Sequence, residues 1–315
     1  MSSELIGMQN SHPRLTQLVV QARERAGSNP LAIALAYPCD ALALHAAQRI
    51  LRSGIARPLL VGPPDLIQRA GDEAEVDVRD FEIVASQRIP SDAALSAVKL
   101  ARQGAVSALM KGSLHTDELM AAVVNKDAGL RGETRISHVF MFDLPRYPKL
   151  LALADCVVNI APDLMTKRQI LDNAIALLQK LGISAPKVAI VAALETVNAA
   201  IPATLDAQAL VNMAREGAWP GAIVEGPCGF DNAISIQAAR IKKIDSQVAG
   251  DVDLMLMPDL NAGNMLYKSF NYVGGGDSAG LVLGATVPIV LTSRSDSLQS
   301  RVASVAMAVL ASPRF

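Results

Sequence analysis

Short apolar runs alternate with longer stretches of helical periodicity through the first part of the chain. The runs predict strands at Leu31–Ala36, Pro58–Val61, Phe81–Ala85 and Ala105–Met110. In the longer stretches apolar side chains recur three or four positions apart, which predicts helices at Ser11–Gly27, Asp40–Gly54, Ser91–Gly104 and Thr116–Asn125. Because strand and helix follow one another in this order, the pattern predicts an α/β fold with a mostly parallel sheet that helices cover on both faces.

The pattern changes in the middle of the chain. His138–Phe142 and Leu150–Val158 read as two strands joined by a turn that contains proline, without a long helix between them. This predicts an antiparallel excursion and the start of a second domain. Further helices are predicted at Met165–Leu181, at Ala207–Glu216 and from Leu298, and further strands at Lys187–Ala192, Gly221–Glu225, Leu254–Met257 and Thr286–Leu291. From periodicity alone the last strand and helix can belong to either half.

Composition narrows the class of protein. Half of the 315 residues are hydrophobic and 3% are aromatic, so aliphatic side chains must fill the cores. The net charge of −1, with both signs interspersed, gives no basic face for nucleic acid. Three widely spaced cysteines predict neither a disulfide framework nor a metal site. No apolar run reaches the roughly 18 residues of a membrane span, and no signal peptide is evident, so we expect a cytoplasmic protein.

The stretch Asp251–Phe270 has the form of a strand, a polar turn and a helix start. Leu254–Met257 is apolar, Pro258 ends the strand, and Asp259–Asn264 is polar. Open α/β sheets bind ligands at such corners, because free N–H groups at a helix N-terminus attract anions. The alternative is that Asn261 or Asn264 only caps the helix.

Two further strand ends carry candidate chemistry. Ser293 and Arg294 follow the last strand, and a hydroxyl beside a guanidinium suits a phosphate ligand. Asp296 and Gln299 have the spacing of a capping box, so this can also be an ordinary helix start. Lys111 ends the fourth strand and can attract phosphate. Thr116 can cap the next helix or bind ligand, and for His115 a structural role is favoured.

Four segments share one arrangement with a known family. They are GPCGFDNAIS (Gly226–Ser235), PDLNAGNMLYK, GGGDSAG (Gly274–Gly280) and PIVLTSRSDS (Pro288–Ser297). In this order and spacing the chain resembles the phosphate acetyl/butyryltransferase family. The resemblance implies the reaction acyl-CoA + phosphate = acyl-phosphate + CoA on short acyl groups, by direct thiolate attack in a ternary complex. It implies coenzyme A as a substrate, no tightly bound cofactor, and a homodimer.

The resemblance also implies an architecture and a site. Two α/β domains similar to isocitrate and isopropylmalate dehydrogenases would enclose a cleft, with residues 1–134 and 286–315 in the first domain and 135–285 in the second. The catalytic residues would be Ser293, Arg294 and Asp296. The substrate-binding residues would be Lys111, Ser113, His115, Thr116, Asp231, Asp259, Asn261, Asn264 and Lys268. For Asp231 a capping role is the alternative, and Tyr267 is expected to pack in its helix.

Two positions depart from the acetyltransferase branch. That branch has an aspartate, thought to help deprotonate the CoA thiol, where this chain has Ser300, and an arginine where it has Met120. Asp296 can stand in as the base. The alternative function is a catalytically weak module that binds CoA or acyl-phosphate. A metal-dependent dehydrogenase is set aside, because the chain has neither a cluster of aspartates nor a GxGxxG motif.

Overall fold

The computed structural model describes residues 12–291, 293 and 296–312. Its strands are β1 (Ala32–Ala36), β2 (Arg57–Gly62), β3 (Glu82–Ala85), β4 (Ala108–Lys111), β5 (Ser137–Asp143), β6 (Leu151–Ala154), β7 (Lys187–Val191), β8 (Ile223–Cys228), β9 (Leu254–Leu256), β10 (Asp277–Leu283) and β11 (Ile289–Val290). Its helices are α1 (Pro13–Ala26), α2 (Ala41–Ser53), α3 (Pro64–Ala74), α4 (Pro90–Arg102), α5 (Thr116–Val123), α6 (Leu164–Lys180), α7 (Pro202–Arg215), α8 (Phe230–Ile234), α9 (Ile236–Ile241), α10 (Leu260–Tyr272) and α11 (Leu298–Ala311).

The eleven strands form one sheet in the order β3-β2-β1-β4-β11-β10-β5-β6-β9-β7-β8. Strands β3, β2, β1, β4 and β11 are parallel to one another, and so are β6, β9, β7 and β8. Between these two groups β10 and β5 pair antiparallel, as do β11 with β10 and β5 with β6. The two parallel groups therefore run in opposite directions. The predicted α/β fold with a mostly parallel sheet is confirmed.

Helices cover the sheet on both faces. Apolar side chains of α1, α2, α3, α6, α7 and α11 pack on one face with Ile33, Leu35, Val139 and Met141. On the other face α4 and α5 cover the first parallel group, and α8 and α10 cover the second. The space between α5 and α10, over the antiparallel strands, is where a cleft opens on this face.

Local capping explains several element boundaries. The Asp40 side chain accepts a hydrogen bond from the backbone N–H of Ala43, 2.7 Å away, and so starts α2. Gly54 ends α2 with φ +69°, the left-handed conformation that glycine adopts without strain. The Asp259 carboxylate caps α10 in the same way as Asp40 caps α2, by accepting from the N–H of Ala262.

The structure corrects two expectations about elements. Because Asp259 is the cap, α10 begins at Leu260, so Asn261 and Asn264 lie within the helix and not in a turn before it. The N-cap of α11 is Ser297, which accepts from the N–H of Ser300, so Asp296 and Gln299 form no capping box. The structure also adds a strand that was not predicted, because β10 begins at Asp277 within the segment GGGDSAG.

The hydrogen-bonded sheet continues through the predicted domain boundary. Residue 285 lies between β10 and β11, which pair directly through Val282 and Ile289. The division into two domains stays a prediction. Among the described residues, no helix combines the length and apolarity that crossing a bilayer requires.

Candidate active site

A cleft of about 310 Å³ lies between α5 and α10 on the face described above. Its walls come from the segments that follow β4, β11, β6 and β9, together with His138 and Phe140 of β5. The lining residues are Lys111, Leu114, His115, Thr116, His138, Phe140, Val157, Asn264, Tyr267, Leu291, Ser293 and Asp296. Ligands of α/β proteins bind beyond the carboxyl ends of strands, and four such ends converge here.

Lys111 is the buried cation of the cleft. It is 8% exposed at the end of β4. Its ammonium group donates to the backbone oxygens of Leu114, at 3.1 Å, and of Gly112, at 3.3 Å. These contacts hold the charge within the loop that precedes α5, where it can meet an anion.

Ser293 and Asp296 form a closed turn between β11 and α11. The N–H of Ser293 donates to Asp296 Oδ2 at 2.6 Å, and the N–H of Asp296 donates to the carbonyl oxygen of Ser293 at 3.2 Å. The guanidinium of Arg301, a side chain that is only 4% exposed, also donates to the Ser293 carbonyl. The first turn of α11 therefore anchors the segment that carries the predicted catalytic residues.

The Asp296 carboxylate has a raised pKa, which suits a general base. Burial raises its pKa above the ordinary value, against the hydrogen bond from Ser293 and the positive charges of Arg301 and Lys111. The carboxylate lines the cleft, where it can accept a proton from a ligand. A carboxylate with a raised pKa is the common form of a general base in an active site.

Aromatic side chains form the opposite wall. The rings of Phe140 and Tyr267 stack with centroids 4.4 Å apart, and His138 packs on Phe140 with centroids 4.2 Å apart. Burial raises the pKa of Tyr267 to about 12, so its hydroxyl stays protonated at neutral pH. Tyr267 was expected only to pack in its helix. His138 and Phe140 were not predicted at all, because nothing in the sequence shows which face of β5 meets a cleft.

The predicted residues divide into two sets. Those in the cleft lining are Lys111, His115, Thr116, Asn264, Ser293 and Asp296. Arg294 lies outside the described residues. Ser113 sits behind the cleft wall, with its hydroxyl donating to the Tyr37 carbonyl at 2.7 Å. Asp259 caps α10, whereas Asn261 and Lys268 are exposed side chains of that helix that are not among the described lining residues.

Asp231 is part of a different surface. It lies in the first turn of α8 and forms an ion pair with Lys242, which also pairs with Glu195. The segment Gly226–Ser235 begins within β8 and borders a separate cavity of about 460 Å³, which is also lined by Glu225 and Arg215. The segments PDLNAGNMLYK and PIVLTSRSDS contribute residues to the described cleft lining, whereas GPCGFDNAIS and GGGDSAG contribute none.

The two positions that depart from the family pattern are away from the cleft. Ser300 is 4% exposed and donates its hydroxyl hydrogen to the backbone oxygen of Ser278 on β10. Met120 packs against the apolar core under α4 and α5. Among the described residues, no three His, Cys, Asp or Glu side chains group as a metal site would require.

Comparisons with known proteins show which family the chain resembles. A family model described as "Phosphate acetyl/butaryl transferase" matches residues 83–309. A phosphate acetyltransferase of Rhizobium meliloti is 47% identical over 300 residues, which are 95% of this chain and 93% of that protein. A phosphate butyryltransferase of Clostridium acetobutylicum is 37% identical over 278 residues, 88% of this chain and 92% of that protein. The crystal structure of a branched-chain phosphotransacylase from Enterococcus faecalis superimposes with a TM-score of 0.78 at 29% identity, covering 89% of this chain and 98% of that one.

Proposed function

The chain belongs to the phosphate acetyl/butyryltransferase family and is a phosphate acyltransferase, and we propose that it exchanges short acyl groups between CoA and phosphate in the cleft of Lys111 and Asp296. The family resemblance found in the sequence is confirmed. Coenzyme A is a substrate of this reaction. The homodimer and the cytoplasmic location that we expected stay predictions.

One observation carries the placement of the reaction. Lys111, a buried cation, lines the same cleft as the serine Ser293 and the carboxylate Asp296, whose pKa is raised, although the end of β4 and the turn before α11 lie far apart in the sequence. Phosphate and acyl-phosphate need a cation, and a CoA thiol needs a base. Met120 and Ser300, which suggested the alternative of a weak binding module, lie outside this lining.

The proposed mechanism proceeds in the direction of acyl-CoA synthesis. The Asp296 carboxylate accepts the proton of the CoA thiol, and the thiolate attacks the carbonyl carbon of the acyl-phosphate. The carbon–oxygen double bond opens to an oxyanion, which collapses and expels phosphate. Lys111 binds the phosphate oxygens before and after this step, and Ser293 donates a hydrogen bond beside them. Arg294 is assigned to the phosphate by the family resemblance. Because both substrates are held in one cleft, the thiolate and the carbonyl carbon react in an effectively unimolecular step.

The apolar wall favours small acyl groups. Phe140, Tyr267 and Val157 line one side of a cleft of about 310 Å³, which must also admit phosphate and the end of the CoA arm. We therefore expect acetyl, propionyl and butyryl groups to be accepted and long acyl chains to be rejected.

The test is release of free thiol from a panel of acyl-CoAs from acetyl to octanoyl, with and without phosphate. Thiol release that requires phosphate, or arsenate in its place, and that falls with chain length is the expected result. No phosphate-dependent release from any member of the panel would exclude the function. Release without phosphate would instead indicate a thioesterase.

A further inference from the structure

His138 is a buried ionisable side chain of the cleft wall to which the mechanism above gives no task. It lies near the start of β5, is 1% exposed, and packs on the ring of Phe140. It nevertheless belongs to the lining of the cleft. Burying an imidazole without a hydrogen-bond partner costs free energy, so such a group requires an explanation.

The two ring nitrogens lie in different surroundings. Nδ1 is completely buried and has no hydrogen-bond partner among the described residues. The nearest carboxylate, Asp155, is occupied by other donors: the backbone N–H of His138 at 3.2 Å, the N–H groups of Val157 and Val158, and the side-chain amide of Asn159. Asp155 therefore fixes the backbone around His138 and does not hold the ring. Because Nδ1 is sealed off, Nε2 is the nitrogen that can meet a ligand in the cleft.

The ring is neutral at physiological pH. Burial lowers the pKa of His138 to about 4, although the negative charge of Asp155 acts in the opposite direction. Among the described lining residues, Lys111 brings a cation, Asp296 a carboxylate and Tyr267 a protonated phenol to the same cleft. A neutral imidazole with so low a pKa is a poor acceptor for a thiol proton. It remains a good hydrogen-bond donor through whichever nitrogen carries its proton.

The strand next to β5 leaves room for this ring. Gly280 on β10 pairs with Phe140. A methyl group at Gly280 would come within 2.9 Å of His138 Cε1 and of Phe140 Cδ1. The rings of His138 and Phe140 therefore pack against Gly280 and occupy the space that a side chain at position 280 would fill. The position of the imidazole is thus built into the sheet.

We propose that Nε2–H of His138 donates a hydrogen bond to the carbonyl oxygen of the acyl group and stabilises the oxyanion that forms during transfer. The proposal rests on the acyl-transfer function given above. The sulfur–carbon bond forms as the carbonyl π electrons move to oxygen, and that oxygen accepts the hydrogen bond. When the carbonyl re-forms, the carbon–oxygen bond to phosphate breaks. The proton stays on His138 throughout, so the residue acts as a donor and not as an acid or a base.

Two substitutions test the donor. His138→Leu removes it, and we expect kcat to fall about 10²–10³-fold, the usual effect of losing one oxyanion donor. The KM for phosphate should change less than about threefold, because Lys111 and not His138 binds it. His138→Gln keeps an N–H near the position of Nε2 and should recover at least about tenfold of the loss. His45 lies on α2, and its ring is hydrogen-bonded to the Ala74 carbonyl. His45→Gln is therefore the matched control and should leave kcat unchanged.

A spectroscopic measurement keeps the proposal testable if His138→Leu does not fold. The chain has four histidines, so ¹⁵N-labelled imidazoles can be resolved, with the His138 signals assigned by their loss in His138→Gln. At pH 7 the wild-type ring should be neutral with its proton on Nε2. That proton should shift downfield when CoA and acetylphosphonate, an analogue of acetyl phosphate with a carbonyl oxygen, are added together.

The outcomes separate this inference from the proposed function. A folded His138→Leu variant with wild-type kcat, or an Nε2 without a proton, overturns the role of His138 and leaves the acyltransferase intact. A wild-type protein that transfers no acyl group overturns both. A large loss in His138→Leu that His138→Gln does not relieve points to packing and also overturns the donor role.

Discussion

Replacing Asp296 by asparagine separates its role as a base from its role in the turn. Asparagine has the same size, and its amide oxygen can still accept the N–H of Ser293, which lies 2.6 Å from Oδ2 in the wild type. What disappears is the ability of the carboxylate to take a proton. We therefore expect Asp296→Asn to fold normally and to lose acyl transfer at neutral pH.

The size of the loss distinguishes the two roles. Exchanging a charged acceptor for a neutral one at Ser293 costs about 1 kcal/mol, roughly a fivefold effect if all of it reached the transition state. Loss of general base catalysis costs about 10²–10⁴-fold. A fall of 100-fold or more is therefore too large for a loosened turn. Asp163→Asn, which removes the charge from a helix cap on α6 but keeps the cap, is the matched control and should retain full activity.

The pH dependence gives a second, independent signature. Burial raises the pKa of Asp296, so the wild-type rate should rise through a carboxylate ionisation above the ordinary range and then level off. The variant must rely on thiolate formed by solvent, and a free thiol has a pKa of about 8.5. Its thiolate fraction grows about fifty-fold from pH 6.5 to pH 8.5, so the deficit of the variant should shrink by about that factor.

The assay is the formation of acetyl-CoA from acetyl phosphate and CoA, followed by thioester absorbance over this pH range. A variant whose pH profile runs parallel to that of the wild type, with a constant deficit, would refute the assignment of Asp296 as the base. Equal rates for both proteins at pH 7 would refute it as well.

Three further outcomes follow from the contacts of the cleft. Lys111→Met should raise the KM for phosphate about 10- to 100-fold in steady-state kinetics, because a charge-assisted contact is lost. Lys149 forms an ion pair with Asp251 at the surface, and Lys149→Met is the control that should leave this KM unchanged. Gly280→Ala should lower the free energy of unfolding in urea by about 1–3 kcal/mol, since its methyl group would press on two rings. Folding lowers the pKa of His138 from 6.5 to about 4, so the unfolded state binds a proton that the folded state does not bind between these pH values. The free energy of unfolding should therefore be highest above pH 6.5 and fall by about 3 kcal/mol towards pH 4. If His138→Gln loses as much stability in acid as the wild type, this prediction is wrong.

The sequence predicts elements well where the signals are local. Asp40 and Gly54 delimit α2 through contacts with residues of the same helix, and both signals are visible in the printed chain. Lys111 was placed correctly at the end of a parallel strand for the same reason. Such signals depend on neighbours within about four positions, which the chain order supplies directly.

Elements that depend on distant partners were missed. No strand was predicted at Asp277–Leu283, a segment that contains a glycine and follows three more. It is a strand because it pairs with β5 along its whole length, more than 130 positions earlier in the chain. His138 was not predicted for the same reason. It lies within a run of apolar strand residues, and its face of β5 borders a cleft only because of how α5 and α10 pack.

Ser300, where the resemblance implies an aspartate in the acetyltransferase branch, has a packing role in this structure. Its hydroxyl donates to the Ser278 carbonyl in the buried contact between α11 and β10, where a carboxylate would face a carbonyl oxygen. Asp296 lies just before the same helix, in a turn whose backbone N–H at Ser293 stabilises the charge. Arg301 holds that turn from below, through its bond to the Ser293 carbonyl. In this chain the carboxylate thus precedes the helix, and the serine within the helix serves its packing on the sheet.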